Sequence, residues 1–252
     1  MDLKEITTNP RRHPWELARA RALRRLVRAN CPWGQVKRVL DVGCGDAFLL
    51  NELCQGRGLE AVHGVDSHLS QPDIDRLAGL YPYINLSSSL PSLPAQRYDL
   101  IFLFDLIEHV PDDKVFCEQI VRDYLAPGGI LVITAPASNH LWSFHDEFLN
   151  HYRRYDLKGI SSLASDLGLF KKDSGFFFSS LIFPRAFSCF KERLSPSKQE
   201  YSGAGRWQGG DKITKMIEWS LDMDNRFLWH LHQMNINVPG LSVWAVFTQE
   251  ET

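Results

Sequence analysis

Short apolar runs alternate with amphipathic stretches through the first two thirds of the chain. Each short run is typical of a buried strand, and each stretch after it places apolar residues at helical spacing. Strands are predicted at 36–42, 61–65, 83–86, 98–104 and 130–134, the last after a Pro-Gly-Gly turn at 127–129. Helices are predicted at 14–29, 47–55, 73–80, 113–125 and 156–167. This alternation predicts an α/β fold whose parallel sheet is covered by helices on both faces.

The C-terminal third carries a weaker pattern. An aromatic, apolar segment at 176–190 is followed by a loop-like stretch at 191–212, a helix at 213–234 and a last strand at 241–248. We expect the last strand to be antiparallel, with the segment 176–190 as its hairpin partner. That segment is too short to span a bilayer. It covers the core or forms a lid, and peripheral contact with a membrane is the alternative.

The end of the first strand carries the most informative motif. Asp41 precedes a turn in which Gly43 and Gly45 let a ligand approach the backbone, and we expect free N–H groups to face that ligand. A dinucleotide site needs a third glycine where Phe48 stands, and no Gly-Lys-Ser/Thr of a P-loop follows. Both of those nucleotide sites are therefore disfavoured.

Further polar residues follow the other predicted strands. Asp66 ends the second strand about 20 residues after the turn, where a carboxylate can accept hydrogen bonds from ribose hydroxyls. Ser67 follows it, Ser89 lies after the third strand, and Asp105 ends the fourth. Because ligands of parallel sheets bind at the carboxyl ends of the strands, we expect one crevice to hold them all.

These motifs together resemble the S-adenosylmethionine (SAM) site of class I SAM-dependent methyltransferases. The segment 105–110, Asp-Leu-Ile-Glu-His-Val, is similar to that of the small-molecule group that includes the ubiquinone-pathway O-methyltransferases. The resemblance covers about residues 10–170. It implies a Rossmann-like fold with a mostly parallel seven-stranded sheet, an N-terminal helix, a C-terminal lid insertion and SAM as cofactor. Ala47 departs from the family pattern by replacing a third glycine, and Ser89 replaces an acid that meets the adenine.

The resemblance also implies the cofactor-binding residues. In relatives the first helix lies over the cofactor, so Arg19 is expected to pair with the methionine carboxylate; a solvated basic helix face is the alternative. The element 142–155 is expected to lie over the acceptor. The residues expected to bind SAM are Arg19, Asp41, Gly43, Cys44, Gly45, Asp66, Ser67, Ser89, Leu90, Asp105 and Leu106.

Methylation of a hydroxyl calls for a general base, and histidine suits that role near neutral pH. His145, beside Asp146, is the first candidate and His109 the second. We expect no metal, because the spacing of Asp146, Glu147 and the nearby histidines matches no known ligand pattern. The predicted function is methyl transfer to a small or amphiphilic acceptor, with oxygen as the favoured atom. The alternatives are a non-catalytic SAM-binding protein and an RNA-directed methyltransferase.

Composition narrows these choices. A chain of 252 residues suits one domain, divided into a helical cap (1–35), a SAM-binding core (36–170) and a lid with the final strand (171–252). Its 28 basic and 30 acidic residues give a net charge of −2, so no nucleic-acid partner is expected, although the Arg-rich first helix and Arg153-Arg154 favour RNA. Five scattered cysteines and a polar N-terminus predict reduced thiols, no signal peptide and a cytoplasmic location.

Overall fold

The computed structural model describes residues 12–91, 97–194, 207 and 209–249. Seven strands in these residues form one sheet. They are β1 (Arg38–Val42), β2 (Ala61–Val65), β3 (Asn85–Ser87), β4 (Tyr98–Phe104), β5 (Leu125–Pro136), β6 (Phe170–Phe177) and β7 (Ser242–Thr248). The α-helices are α1 (Pro14–Asn30), α2 (Phe48–Cys54), α3 (Gln71–Leu80), α4 (Asp113–Tyr124), α5 (Phe144–Phe148), α6 (Leu157–Asp166), α7 (Ile182–Leu194) and α8 (Asp211–Gln233).

The strand order is β3-β2-β1-β4-β5-β7-β6. The first five strands run parallel, and β7 is antiparallel to both β5 and β6. Val39 of β1 pairs with Val62 on one side and Leu100 on the other, so the ends of β1, β2 and β4 lie at one edge. This topology confirms the predicted Rossmann-like class I methyltransferase fold.

Two apolar layers cover the sheet because successive side chains of a strand point to opposite faces. Val39, Leu100 and Val132 belong to one buried cluster, which α1 and α2 also enter. Leu40 and Ile101, one residue along, belong to the other cluster, with α4 and α6. Every strand of the sheet centre is therefore buried on both sides, as its unbroken apolar sequence predicts.

Helix α1 lies against the sheet and is held there by α8. His13 and Glu16 form a reciprocal capping box at its start, with Pro14 in the first turn. Its inner face is buried, whereas Arg25 reaches Asp222 of α8 at 2.7 Å. Helix α1 thus begins at Pro14, as predicted, and ends at Asn30, one residue beyond the predicted end.

Three predictions for the elements were wrong. The stretch 127–129 is not a turn before the fifth strand, because β5 begins at Leu125 and 126–129 form an irregularity inside it. The hairpin partner of β7 is β6, which contains only the first two residues of 176–190; the rest is mostly α7. Residues 191–194 are helical rather than loop, and 195–206 and 208 lie outside the described residues.

Physical causes for these differences are visible. Strand β6 is an edge strand whose first residues are exposed, so it lacks the apolar run that marks a central strand. Helix α7 carries its aromatic residues at helical spacing, which the apolar composition of the segment conceals. Strand β3 lies two residues beyond its predicted start. None of the described helices is long and apolar enough to cross a membrane.

Candidate cofactor and acceptor site

The glycine turn lies between β1 and α2, where the backbone adopts left-handed conformations. Gly43 and Gly45 have φ of 81° and 56°, and Ala47 has φ of 60°. A Cβ on Gly43 would lie 3.0 Å from Leu106 Cδ1, so the turn and the residues after β4 nearly touch. Glycine suits the first two positions, whereas Ala47 adopts a conformation unfavourable for an L-residue.

The expectation that free backbone N–H groups of this turn face a ligand was wrong for three residues. Gly43 and Cys44 donate their N–H groups to the carbonyl of Val65 at 2.7 and 3.1 Å. The N–H of Gly45 donates to Asp66 Oδ2 at 3.0 Å. These bonds fasten the turn to the end of β2. The turn therefore leaves space for a ligand but does not offer it the N–H groups of these three residues.

Asp41 lies buried at the base of the turn. Its side chain is 2% exposed, and Oδ1 has no hydrogen-bond partner among the described residues. Burial raises the pKa of this carboxyl to about 7, an effect that the Arg19 guanidinium only partly offsets. An unpartnered carboxylate oxygen beside a small cavity lined by Gly43 and Cys44 suits a cationic ligand group.

Cys44 borders that small cavity, but its side chain packs below the turn with Leu69 and Leu77. Burial raises the pKa of its thiol well above the ordinary value. A buried, protonated thiol is chemically inert, so the thiol is not a nucleophile candidate.

Arg19 is buried and paired within the protein. Its guanidinium lies 2.8 Å from Asp105 Oδ2 and donates to the Thr134 hydroxyl at 3.2 Å. Asp105 has φ of 49° and its own N–H bonds the Thr134 carbonyl. Burial would raise the pKa of the Asp105 carboxyl, but Arg19 and Thr134 outweigh it and hold the pKa below its usual value. Arg19 lines the small cavity while it remains paired with Asp105.

A larger cavity of about 520 Å³ also borders Gly43. Its volume is within the range of small-molecule sites, about 300–1,000 Å³. Most of the residues expected to bind SAM line it, and they come from the ends of β1, β2, β3 and β4. They are Gly43, Asp66, Ser67, Ser89, Leu90, Asp105 and Leu106. The remaining four, Arg19, Asp41, Cys44 and Gly45, lie at the turn or the small cavity.

Asp66 keeps acceptor capacity toward this cavity. Its Oδ2 accepts from Gly45 N–H, and its Oδ1 accepts from the N–H of His68 at 2.9 Å. A carboxylate accepts about four hydrogen bonds, so two positions are left for vicinal hydroxyls. Ser89 and Leu90 line the same cavity as Asp66.

Another wall of the cavity comes from the segment 142–155. Leu149, Asn150 and Tyr152 line the cavity together with His109. The segment is fixed to the residues after β4, because Tyr152 N–H donates to the Glu108 carbonyl at 2.7 Å and the Tyr155 hydroxyl donates to Asp113. This is the wall at which the sequence predicts an acceptor.

Behind this wall lies a buried ionic cluster centred on Asp146. Its carboxylate lies 3.0 Å from His151 Nδ1, 2.8 Å from Arg154 Nε and 2.7 Å from an Arg185 nitrogen. Burial favours the protonated acid, but these three partners outweigh it and hold the pKa of Asp146 well below its usual range. Asp146 therefore holds His151 in place rather than His145.

The two catalytic candidates occupy different places. His109 lines the large cavity, and its ring centroid lies 4.7 Å from that of His151. His145 is absent from the described cavity lining, and burial together with the nearby Arg185 lowers its pKa to about 4. Glu108, which the sequence did not single out, is fully buried beside His109.

Comparison with known proteins agrees with this geometry. The family model of a methyltransferase domain matches residues 15–171, so the chain belongs to this family of SAM-dependent methyltransferases, and the resemblance predicted from the sequence is confirmed. A trans-aconitate 2-methyltransferase of Rhizobium leguminosarum is 30% identical over 125 residues, 48% of this chain and 47% of that protein. A ubiquinone biosynthesis O-methyltransferase of Shewanella is 30% identical over 144 residues, 55% of this chain and 58% of that protein.

The chain thus spans about half the length of the curated relatives it matches. Among solved structures, the N-methyltransferase NodS of Bradyrhizobium japonicum, in complex with S-adenosylhomocysteine (SAH), superposes with a TM-score of 0.51 at 16% identity. The similarity covers 97% of this chain and 90% of that one. At this identity the likeness establishes the fold, and the acceptor has to be argued from the site.

Proposed function

We propose that the chain transfers the methyl group of SAM to an oxygen atom of a small or amphiphilic acceptor. The observation that carries the proposal is the continuity of the site. Asp66, Ser89 and His109 line one cavity, and Asp41, with its unpartnered carboxylate oxygen, lines the small cavity that shares Gly43 with it. An elongated ligand that carries both hydroxyls and a cationic group matches these two adjoining sets of residues.

In this proposal the protein holds the cofactor through three kinds of contact. Asp41 accepts a hydrogen bond from the ammonium group, which supplies the positive charge that its buried oxygen lacks. Asp66 accepts from the ribose hydroxyls, and Ser89 with Leu90 borders the adenine. SAM, when bound, supplies an already activated methyl group, so the protein has to align the acceptor and exclude water.

The acceptor side supports oxygen. His109 is the proposed acceptor-activating residue, because it lines the cavity, whereas His145 does not. One of the curated relatives is named an O-methyltransferase, and the sequence lacks the Asn/Asp-Pro-Pro-aromatic element of many amide and base N-methyltransferases. Leu149 and Phe116 make the same wall partly apolar, which suits an acceptor with an apolar portion.

The RNA-directed alternative loses its main support. Four arginines of α1 that favoured it each pair with a carboxylate of this chain, so these guanidinium groups already have anionic partners. The pairs are Arg19–Asp105, Arg21–Glu218, Arg24–Glu52 and Arg25–Asp222. Arg153 and Arg154 likewise pair with Asp113 and Asp146.

Helix α7 favours an amphiphilic acceptor taken from a lipid surface. Phe183, Phe187, Phe190 and Leu194 follow one another at helical spacing and are 58–80% exposed. Lys191 and Arg193 lie in the last turn, and such a basic, amphipathic helix is typical of one that lies in a membrane interface. Co-sedimentation with vesicles that contain anionic lipid tests whether α7 binds a membrane surface. We expect the double variant Phe183→Ser/Phe187→Ser to lose vesicle binding. The control Met216→Ser, at a similarly exposed position of α8, should retain vesicle binding.

Methyl transfer is tested with SAM that carries a labelled methyl group, a catechol and trans-aconitate as acceptors, and mass spectrometry of SAH and product. We expect an oxygen-linked methyl group, and a rate that falls about 10²-fold or more in His109→Gln while the Kd for SAH stays within about twofold. A similar loss in His145→Gln alone would assign activation to that histidine. SAH binding without turnover of any hydroxyl or carboxyl acceptor would favour the non-catalytic alternative.

A further inference from the structure

Three side chains of metal-ligand type meet beside the large cavity, and His109 is the one of them that lines it. Glu108 and His109 lie in a short 3-10 helix, Ile107–His109, shortly after β4. His151 comes from the segment whose Tyr152 N–H donates to the Glu108 carbonyl. One ligand atom from each lies within 4.8 Å of the other two. The prediction of no metal considered only the spacing of Asp146, Glu147 and the nearby histidines. His109 and His151 lie 42 positions apart in the sequence, so only the fold brings them together.

The carboxyl group of Glu108 is buried without a hydrogen bond from another described side chain, and the favourable effect of the Arg19 guanidinium on it does not offset the burial. The Glu108 side chain is 0% exposed, and neither carboxylate oxygen has a hydrogen-bond partner on another described residue. Burial and the nearby Asp105 raise its pKa well above the ordinary value. An unpaired buried carboxylate is strongly unfavourable, and a cation beside it would remove that penalty.

His151 is oriented as a metal ligand would be. Its Nδ1 lies 3.0 Å from Asp146 Oδ1, and Arg154 and Arg185 fix that carboxylate in turn. A carboxylate that holds one imidazole nitrogen is the usual support of a metal-ligating histidine, because it sets the ring orientation and leaves Nε2 for the metal. The His109 ring lies nearly perpendicular to that of His151, at 79°.

We propose that Glu108, His109 and His151 bind a divalent first-row cation, Zn²⁺ or Mn²⁺, which takes an acceptor oxygen as a further ligand. Two imidazoles and one carboxylate with an open position are the ligand set of many catalytic zinc sites. Tetrahedral zinc with bonds of about 2.0–2.1 Å needs ligand atoms about 3.3 Å apart, so the three side chains have to close by at most about 1.5 Å. The role toward the acceptor rests on the function proposed above.

Such a cation would explain how His109 activates the acceptor. A bound divalent ion withdraws electron density from a coordinated hydroxyl oxygen and makes its proton more acidic at neutral pH. While His109 coordinates the ion it cannot also accept that proton, which the acidified hydroxyl releases to solvent water as the methyl group is transferred and SAH leaves. The cluster then acts by electrostatic activation and by positioning the acceptor.

The test is a calorimetric titration of the EDTA-treated, dialysed full chain with ZnCl₂, MnCl₂ and MgCl₂. We expect one Zn²⁺ or Mn²⁺ ion per chain and weaker binding of Mg²⁺, which disfavours nitrogen ligands. Glu108→Gln and His151→Gln should each weaken binding tenfold or more, equal to about 1.4 kcal/mol. His230→Gln, which changes an exposed histidine of α8, should bind as the wild type does.

Circular dichroism and SAH titration of the same samples separate the two proposals. Stoichiometric metal binding without SAH binding would overturn the proposed function and leave the metal site standing. SAH binding without stoichiometric metal binding, or binding that Glu108→Gln and His151→Gln leave unchanged, would overturn the metal site and assign the signal to surface histidines. If Glu108→Gln does not fold, His151→Gln alone decides the question.

Discussion

We predict that Asp41, as the proposed partner of the cofactor ammonium group, makes the affinity for SAM depend on pH. Its carboxyl has a pKa of about 7 because it is buried with an unpartnered oxygen. Only the ionised form attracts an ammonium group, so protonation competes with the cofactor. The apparent Kd is then the intrinsic Kd multiplied by one plus the ratio of protonated to ionised Asp41.

The magnitude follows from that pKa. With a pKa of about 7, the multiplier is about 1.3 at pH 7.5 and about 11 at pH 6, a loss of about eightfold in affinity or about 1.2 kcal/mol. The amino group of SAH is that of a free amino acid and is more basic than a peptide N-terminus, so it stays protonated throughout this window. Calorimetric titration of SAH at pH 6, 6.5, 7 and 7.5 measures the change.

Asp41→Asn is the matched control, since it keeps the shape and removes the charge. We expect it to bind SAH at least tenfold more weakly at pH 7.5 and with no pH dependence from this group. An affinity of the wild type that is flat from pH 6 to 7.5, or an Asp41→Asn profile equal to that of the wild type, would refute the reasoning. His109→Gln should retain the profile, which separates Asp41 from the histidines.

The Asp41 carboxyl also makes the free energy of unfolding depend on pH. Its folded pKa lies above the unfolded value of about 3.9, so the native chain binds more protons between about pH 4 and 7. The free energy of unfolding therefore falls as pH rises through that window, by at most about 4 kcal/mol for three pKa units. Urea unfolding of ligand-free Asp41→Asn should show that decline removed, with the variant more stable than the wild type at pH 8.

Three further substitutions, two of them paired with a control substitution, test the packing around the site by urea or thermal unfolding. Gly64→Ala should lower the free energy of unfolding by about 1–3 kcal/mol, because the added Cβ would lie 2.8 Å from Leu86 Cδ2. The control Gly79→Ala adds a methyl group in open space on α3 and should raise the free energy of unfolding. Asp146→Asn should cost about 3–5 kcal/mol at pH 7. Its folded pKa is lowered, so this stabilisation is present above about pH 4 and is lost on further acidification. Ala47→Gly should stabilise by up to about 1 kcal/mol because φ is 60°, and Ala22→Gly within α1 should destabilise by about 1 kcal/mol or more.

Residues that follow strands were predictable because parallel topology constrains them. Asp41, Asp66 and Asp105 each follow an apolar run, and a parallel sheet places the carboxyl ends of its strands at one edge. The sequence therefore brings these acids together before any contact is known. The same topology brings Leu106, which follows Asp105, next to the glycine turn, where a Cβ on Gly43 would meet the Leu106 side chain.

Contacts between distant loops could not be predicted in that way. No local pattern places the Val65 carbonyl where it accepts from Gly43 and Cys44, or pairs Arg19 with Asp105 across the sheet edge. The partnership of Asp146 with His151 rather than its neighbour His145 depends on the course of the short helix α5. The side chains that meet at Glu108 became recognisable only from their distances.

The most direct test of the account is a calorimetric titration of SAH into the wild type, Asp66→Asn and Asp75→Asn. Asp66 lines the large cavity, whereas Asp75 lies exposed on α3 and serves as the control for loss of a negative charge. We predict micromolar binding to the wild type and to Asp75→Asn, and binding at least tenfold weaker to Asp66→Asn, a loss of about 1.4 kcal/mol. A folded wild-type protein that does not bind SAH, or equal affinity in all three proteins, would contradict the account.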